Sequence, residues 1–266
     1  MRNSLSWSLA LSISLLTIFT AVPCYANDAP VHLIGGGAAP RYGPIQTIQM
    51  EAEEIIIKLG PKTYIVDATF NFFNTGKTTE ELVGFPKRGM GYWSSFTGTK
   101  PFIKFDTWIN DIKTDFKEEP DTSTIKGDAY LSDLIATVQA NKTNSFFLTD
   151  DRWLVKRVTF ETQKRTTTRV VYEAEYQELY DGGCLAARYI YGTGSYWKGP
   201  IGKATFIIDE MNKPRGKGVF VRFPNDSDKR YNATIKKKSP TTTAYELSSF
   251  KPKSDDQLDI FIGVCP

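Results

Sequence analysis

The chain has 266 residues, with 33 Lys plus Arg against 30 Asp plus Glu and a net charge of +3. So balanced a charge leaves no single-sign field to hold nucleic acid or an anionic membrane, and no nucleic-acid partner is expected. One histidine and three cysteines exclude a clustered zinc site and leave Ser-His-Asp or Cys-His catalysis almost without candidates.

Residues 1–26 read as a secretory signal peptide: Arg2, then an apolar stretch over 9–22 interrupted by Ser12, Ser14, Thr17 and Thr20, then the small residues Cys24 and Ala26 before a cut after Ala26. The stretch is too short and too polar for a membrane span, which needs about 20 apolar residues, and no later segment reaches that length. Cys24 raises lipidation as a rival reading, for which Pro23 directly before it is a poor fit. Cleavage lowers Lys plus Arg from 33 to 32 against 30 acids, a net charge of +2. Residues 27–44 follow, with Gly35-Gly36-Gly37 and Gly43-Pro44. They read as a flexible arm that carries His32, where no rigid neighbour fixes a tautomer or a metal.

Strand signals then come densely. Residues 45–58 are β-branched and partly alternating. Residues 63–73 alternate clearly, with Tyr64, Val66, Ala68, Phe70 and Phe72 on one face. Gly60-Pro61 separates these runs, and Asn74-Thr75-Gly76-Lys77 ends the second before a strand at 79–85. Residues 102–109 and 112–116 flank Asn110-Asp111, a tight-turn pair. Residues 152–160 and 166–176 read as another hairpin. In the last third, strands are expected at 204–209, 218–223, 231–237, 242–249 and 257–264, with Leu258, Ile260, Ile262 and Val264 on one face. Many short strands at this spacing predict an all-β fold, a β-sandwich, either one large or two small.

One stretch departs from this pattern. Over 128–140, Leu131, Leu134, Ile135 and Val138 fall at helical spacing, so 117–148 is expected to be an insertion carrying a short helix that covers a sheet face or edge, with a lid as the sharper role. Two units are expected, 45–180 with this insertion and 181–266. Cys184 and Cys265 survive cleavage, and in an oxidising compartment the pair predicts a disulfide.

No phosphate-cradling loop and no clustered metal ligands occur, so no cofactor or metal is implied. Glu53-Glu54, Glu118-Glu119, Asp150-Asp151 and Asp255-Asp256 are adjacent acids, which on a strand point to opposite faces and do not by themselves form an acid/base couple. Asn225-Asp226-Ser227-Asp228 offers oxygen ligands, and a solvated turn explains it as well. Lys236-Lys237-Lys238 suits a sheet edge that resists edge-to-edge association. Two Gly-flanked aromatic clusters remain, one with Tyr92, Trp93 and Phe96 and one with Tyr191, Tyr196, Trp197 and Lys198. Such rings make ligand platforms when held flat and exposed, and they fill cores when buried. As the ligand-binding reading, these seven residues form two walls of one contact surface.

The runs Val66 to Gly76, Val83-Gly84-Phe85-Pro86, Trp153 to Phe160 and Thr193 to Ala204 together resemble an uncharacterised family of exported bacterial β-rich proteins, domains of unknown function that in some chains stand beside YARHG domains. The resemblance covers residues 48–208 and implies a secreted or periplasmic protein, with no activity attached. The first run is similar, more weakly, to the β-sandwich that precedes von Willebrand type A domains. The metal motif of those domains is missing here, since Asp121-Thr122-Ser123-Thr124-Ile125 ends in Ile. The function expected is an exported, non-catalytic binding or interaction module of the periplasm or envelope, with an envelope glycan or protein as partner. The alternatives are a carboxylate-dependent glycan-processing enzyme and a structural subunit of an envelope complex.

Overall fold

A computed structural model describes residues 28–34, 37–40, 45–86, 102–120, 152–179, 183–223, 233–253 and 256–265. The expected signal peptide, the helix over 128–140, the cluster with Tyr92, Trp93 and Phe96, and the Asn225–Asp228 turn lie outside the described residues.

The described chain is built from strands, as expected for an all-β sandwich. An eight-stranded sheet forms one layer. Its middle is β3 (Ile48–Leu59), β4 (Thr63–Asn74) and β10 (Arg165–Glu175); on one side follow β6 (Lys104–Ile109) and β7 (Ile112–Lys113), on the other β13 (Ile201–Asp209), β16 (Thr242–Phe250) and the edge strand β15 (Thr234–Ser239). A five-stranded sheet runs in the order β2 (Gly37–Pro40), β1 (Ala29–Ile34), β5 (Thr79–Pro86), β9 (Arg152–Phe160) and β8 (Lys117–Pro120). A four-stranded sheet holds β11 (Gln177–Leu179), β12 (Cys184–Ile190), β17 (Gln257–Gly263) and β14 (Val219–Arg222). Both smaller sheets pack on the same face of the large one. Phe85 and Phe160 of the five-stranded sheet meet Tyr172 and Phe72 at 5.4 and 5.6 Å, while Tyr189 of the four-stranded sheet meets Phe206 at 6.3 Å.

The alternation of β4 sets this packing. Tyr64, Val66, Ala68, Phe70 and Phe72 are all buried in one continuous core, and the residues between them face outward. Asn110 and Asp111 both take positive φ, 47° and 65°, as a two-residue turn of this hand requires.

Several expectations are corrected. The region expected to be a flexible arm contains β1 and β2; β1 pairs antiparallel with β5, and Ala29 is buried. Glycine-rich composition argues against burial there, but the strand completes its bonding on a sheet edge that already exists. Strands β9 and β10 are not a hairpin: β9 pairs with β5 and β8, whereas β10 pairs with β4 and β6. Their short connection crosses between layers because Phe160 must end in one sheet and Thr166 begin in the other, both facing the core. The buried Asn74 holds this crossing, its side-chain amide donating to Phe160 O at 2.8 Å and Lys77 O at 2.9 Å. Strands from both sides of residue 180 share sheets, since β13 pairs parallel with β3 and β11 pairs with β12. Val264 does not share the inward row of Leu258, Ile260 and Ile262; it lies past the end of β17 and is exposed. Residues 117–120, expected at the start of the helical insertion, form β8.

Candidate functional site

The Gly-rich aromatic run folds as a 3-10 turn over Gly192–Tyr196 that joins β12 to β13. Gly194 allows the close approach, since a Cβ there would stand 2.6 Å from Ile201 Cδ1. The turn is pinned to the root of β3 by Ile45 N–H donating to Tyr196 O and Lys198 N–H donating to Ile48 O, each at 2.8 Å.

Of the candidate rings in this run, Tyr191 and Trp197 lie in the core. Tyr191 is fully buried, 5.3 Å from Phe206. Trp197 is buried with its ring 4.5 Å from Phe72 and 5.9 Å from Phe160, and its indole N–H donates to Asp28 O at 3.0 Å. Tyr196 is half-buried against a small cluster of Ala29, Trp153 and Val155. Lys198 is half-buried, and its ammonium donates to Thr75 Oγ1 at 2.9 Å. Glycines that bring backbone close to large rings serve packing here. Cys184 and Cys265 form the expected disulfide, with Cα atoms 5.0 Å apart.

A concavity lies elsewhere, beside β9. It is a cavity of about 430 Å³, within the range of small-molecule sites. Leu82 of β5, Val155 of β9 and Phe116 line it with apolar surface. Register explains their meeting, because Leu82 lies opposite Arg157 and Lys117 opposite Val155 on neighbouring strands. Phe116 is held by an edge-on contact with Phe105 at 5.0 Å. Thr114 fixes the loop before β8, its N–H donating to Thr107 O and its hydroxyl to Ile112 O, both at 2.9 Å. The polar lining carries both signs: Lys117, Lys156 and Arg157 as cations, Asp115 and Glu119 as anions. Arg157 also pairs with Glu80 at 2.8 Å, an exposed pair of small energetic weight.

Below the cavity is a buried polar cluster. The Lys156 ammonium lies 2.9 Å from Asp28 Oδ2 and donates to Thr107 Oγ1 at 2.8 Å, and the Thr168 hydroxyl donates to Asp28 Oδ2 at 2.5 Å. Both side chains of the ion pair are buried, at 3% and 0% exposure. The cluster joins β9 to β6 and β10 across the layers. Sequence reasoning misses it, although one signal is present: a lysine sits in the inward row Leu154, Lys156, Val158, Phe160. Asp28 carries no comparable signal, since nothing around it alternates.

Among the described residues no helix is long and apolar enough to cross a membrane, and no group of three His, Cys, Asp or Glu is placed to hold a metal ion. The chain is thus a disulfide-bonded β-sandwich with an amphiphilic cavity on its smaller layer. No family model matches the chain, and no curated protein matches it. Among solved structures, a Legionella pneumophila protein proposed to be nutrient-binding has a TM-score of 0.56 at 17% identity, covering 89% of this chain and 70% of that one. An M1 zinc metallopeptidase from Deinococcus radiodurans has a TM-score of 0.37 at 8% identity over 84% of this chain, which spans 44% of the peptidase. Legionella pneumophila aminopeptidase A has a TM-score of 0.35 at 10% identity, with 83% of this chain and 22% of that one covered. The first likeness, at that identity, shows a shared fold.

Proposed function

We propose that the protein is an exported, non-catalytic binding module of the envelope or extracellular space. In this reading the cavity beside β9 takes a small solute with an apolar body and both charges, as an amino acid or short peptide has. The lining carries the reading. Leu82, Phe116 and Val155 offer an apolar wall, Lys117 and Arg157 suit a carboxylate, and Asp115 and Glu119 suit an ammonium. The expected envelope partner is then peptide in character, because the cavity lining sets both charges beside an apolar wall. Export is supported by the disulfide, a bond that persists in oxidising compartments.

The test is a thermal-shift and calorimetric panel of amino acids, dipeptides and neutral sugars on the purified mature chain. A zwitterionic ligand is expected to raise the melting temperature with concentration, as binding to the native state must. Phe116→Ala and Arg157→Ala should abolish that shift. A panel without any zwitterionic binder, or binding that both variants retain, would overturn the reading.

A further inference from the structure

We propose that Lys156 and Asp28 become joined by an intramolecular amide bond between Nζ and Cγ, a covalent staple in addition to the disulfide. The two groups are already in contact, 2.9 Å from Nζ to Oδ2, and shut off from solvent. They are also held. Thr107 Oγ1 donates to Arg169 O at 3.0 Å, so toward Lys156 it can only accept, which fixes Nζ. The Thr168 hydroxyl donates to Oδ2, and the Trp197 indole fixes the backbone of residue 28. Oδ1 of Asp28 has no hydrogen-bond partner among the described residues.

The pair is buried, and among the described residues Oδ1 of Asp28 is left without a donor, so the charges are costly to keep. Transfer of one proton from the ammonium to Oδ2 removes both charges and leaves a neutral amine beside a neutral carboxylic acid, which is the reactive combination. The Nζ lone pair attacks Cγ, and Thr168 polarises the acid through Oδ2. As the adduct collapses, the C–Oδ2 bond breaks and Oδ2 leaves as water, carrying the first proton and one more from nitrogen. Oδ1 becomes the amide carbonyl oxygen. The step is a condensation, so no oxidant, reductant or further reagent enters. The released water has a way out, because Lys156 also lines the cavity beside β9. Immobilisation of the two reacting groups replaces the activation that a free acid and amine require.

The product would fasten the root of β1 to β9. Strand β1 bonds on one side to the four-residue β2 and on the other to only part of β5. A covalent tie at its first turn into the core holds that edge in place.

The decisive measurement is the intact mass of the mature, denatured chain, followed by peptide mapping. The expected mass is one water below that of the disulfide-bonded sequence, with a branched peptide that contains both Asp28 and Lys156. Lys156→Arg and Asp28→Ala should restore the full mass. A wild-type chain of full mass, with the two residues recovered in separate linear peptides, would overturn the proposal and leave an ordinary ion pair. A water loss confined to a linear peptide, as in a succinimide at Asp28, would overturn it equally. The wild-type result stands even if neither variant folds.

Discussion

Replacing Trp197 tests whether the aromatic run serves the core or the surface. The indole fills a site between Phe72 and Phe160, and its N–H satisfies the carbonyl of Asp28. Truncation of a buried tryptophan to alanine costs about 3–5 kcal/mol through lost contacts and the cavity left behind. The lost hydrogen bond adds about 1 kcal/mol, because the carbonyl of residue 28 stays buried. Trp197→Ala is therefore expected to lose about 4–6 kcal/mol, and at about 2–4 °C per kcal/mol for a chain of this size the melting temperature falls by about 8–24 °C. Trp197→Phe keeps the ring contacts and drops only the donor, so its loss should be about 1–3 kcal/mol. Thermal and urea unfolding followed by circular dichroism measure both. If Trp197→Ala melts within about 2 °C of wild type, the ring contributes no core packing and the assignment fails. A ranking with Trp197→Phe worse than Trp197→Ala would contradict the energetic partition.

Three further outcomes follow from the same geometry. The Cys184–Cys265 bridge closes a sequence separation of 81 residues, which on the chain-entropy model stabilises by about 4–5 kcal/mol, so a Cys184→Ala/Cys265→Ala double variant should unfold at markedly lower urea. An unchanged midpoint would show that the loop is already constrained in the unfolded chain. Burial raises the Tyr64 phenol to about 12 from 10.0, and burial also pushes Tyr172, Tyr176 and Tyr189 upward. These groups stay protonated in the fold while the unfolded chain ionises, so stability is full below pH 10 and falls between about pH 10 and 12, by about 3 kcal/mol for Tyr64 alone. Part of the tyrosinate absorbance should then appear only with unfolding; ionisation of all 13 tyrosines with the fold intact would refute the burial argument. Gly202 stands where a Cβ would lie 2.4 Å from Glu51 O, so Gly202→Ala must push β13 away from the irregular register between Met50 and Ala52 of β3, at a cost of about 1–3 kcal/mol in urea unfolding. Wild-type stability in that variant would mean the two strands do not meet so closely.

Strands with a regular inward row are legible in the residue pattern alone. Residues 63–73 show their buried face because β4 lies in the middle of a sheet whose outer face meets solvent, the condition under which period two is cleanest. Asn110-Asp111 is readable as a turn because few residue types accept positive φ. The basic run 236–238 does lie on an edge strand, since β15 ends the eight-stranded sheet. Strand β12 is hidden for the opposite reason. It is buried along nearly its whole length, so Cys184 to Ile190 shows no alternation, and its small and polar residues mask it. Its Arg188 is neutralised in place by Asp259 at 2.6 Å, a partner that local sequence cannot reveal.

The buried polar cluster is hidden by the same cause. Period two predicts which way a side chain points, not whether its destination is apolar. Glu53 and Glu54 do separate as adjacent strand residues must, and the one that points inward is buried although it is an acid. Lys156, Thr166 and Thr168 likewise occupy inward positions in β9 and β10. Each is tolerable only if a partner arrives from another strand, and for Lys156 that partner is Asp28, far off in sequence and just ahead of a glycine-rich segment that reads as an arm. A polar residue on an inward row is therefore a prediction that a distant polar group must meet it. Applied to Lys156, that rule demands a carboxylate or its equivalent in the core and makes docking of the N-terminal strand a requirement of the fold. Asp28→Ala alone should then destabilise more than Asp28→Ala combined with Lys156→Met, since the single change strands a buried charge and the double change removes it. Urea unfolding of the two variants measures the difference, and a double variant less stable than the single would show that Lys156 has another partner.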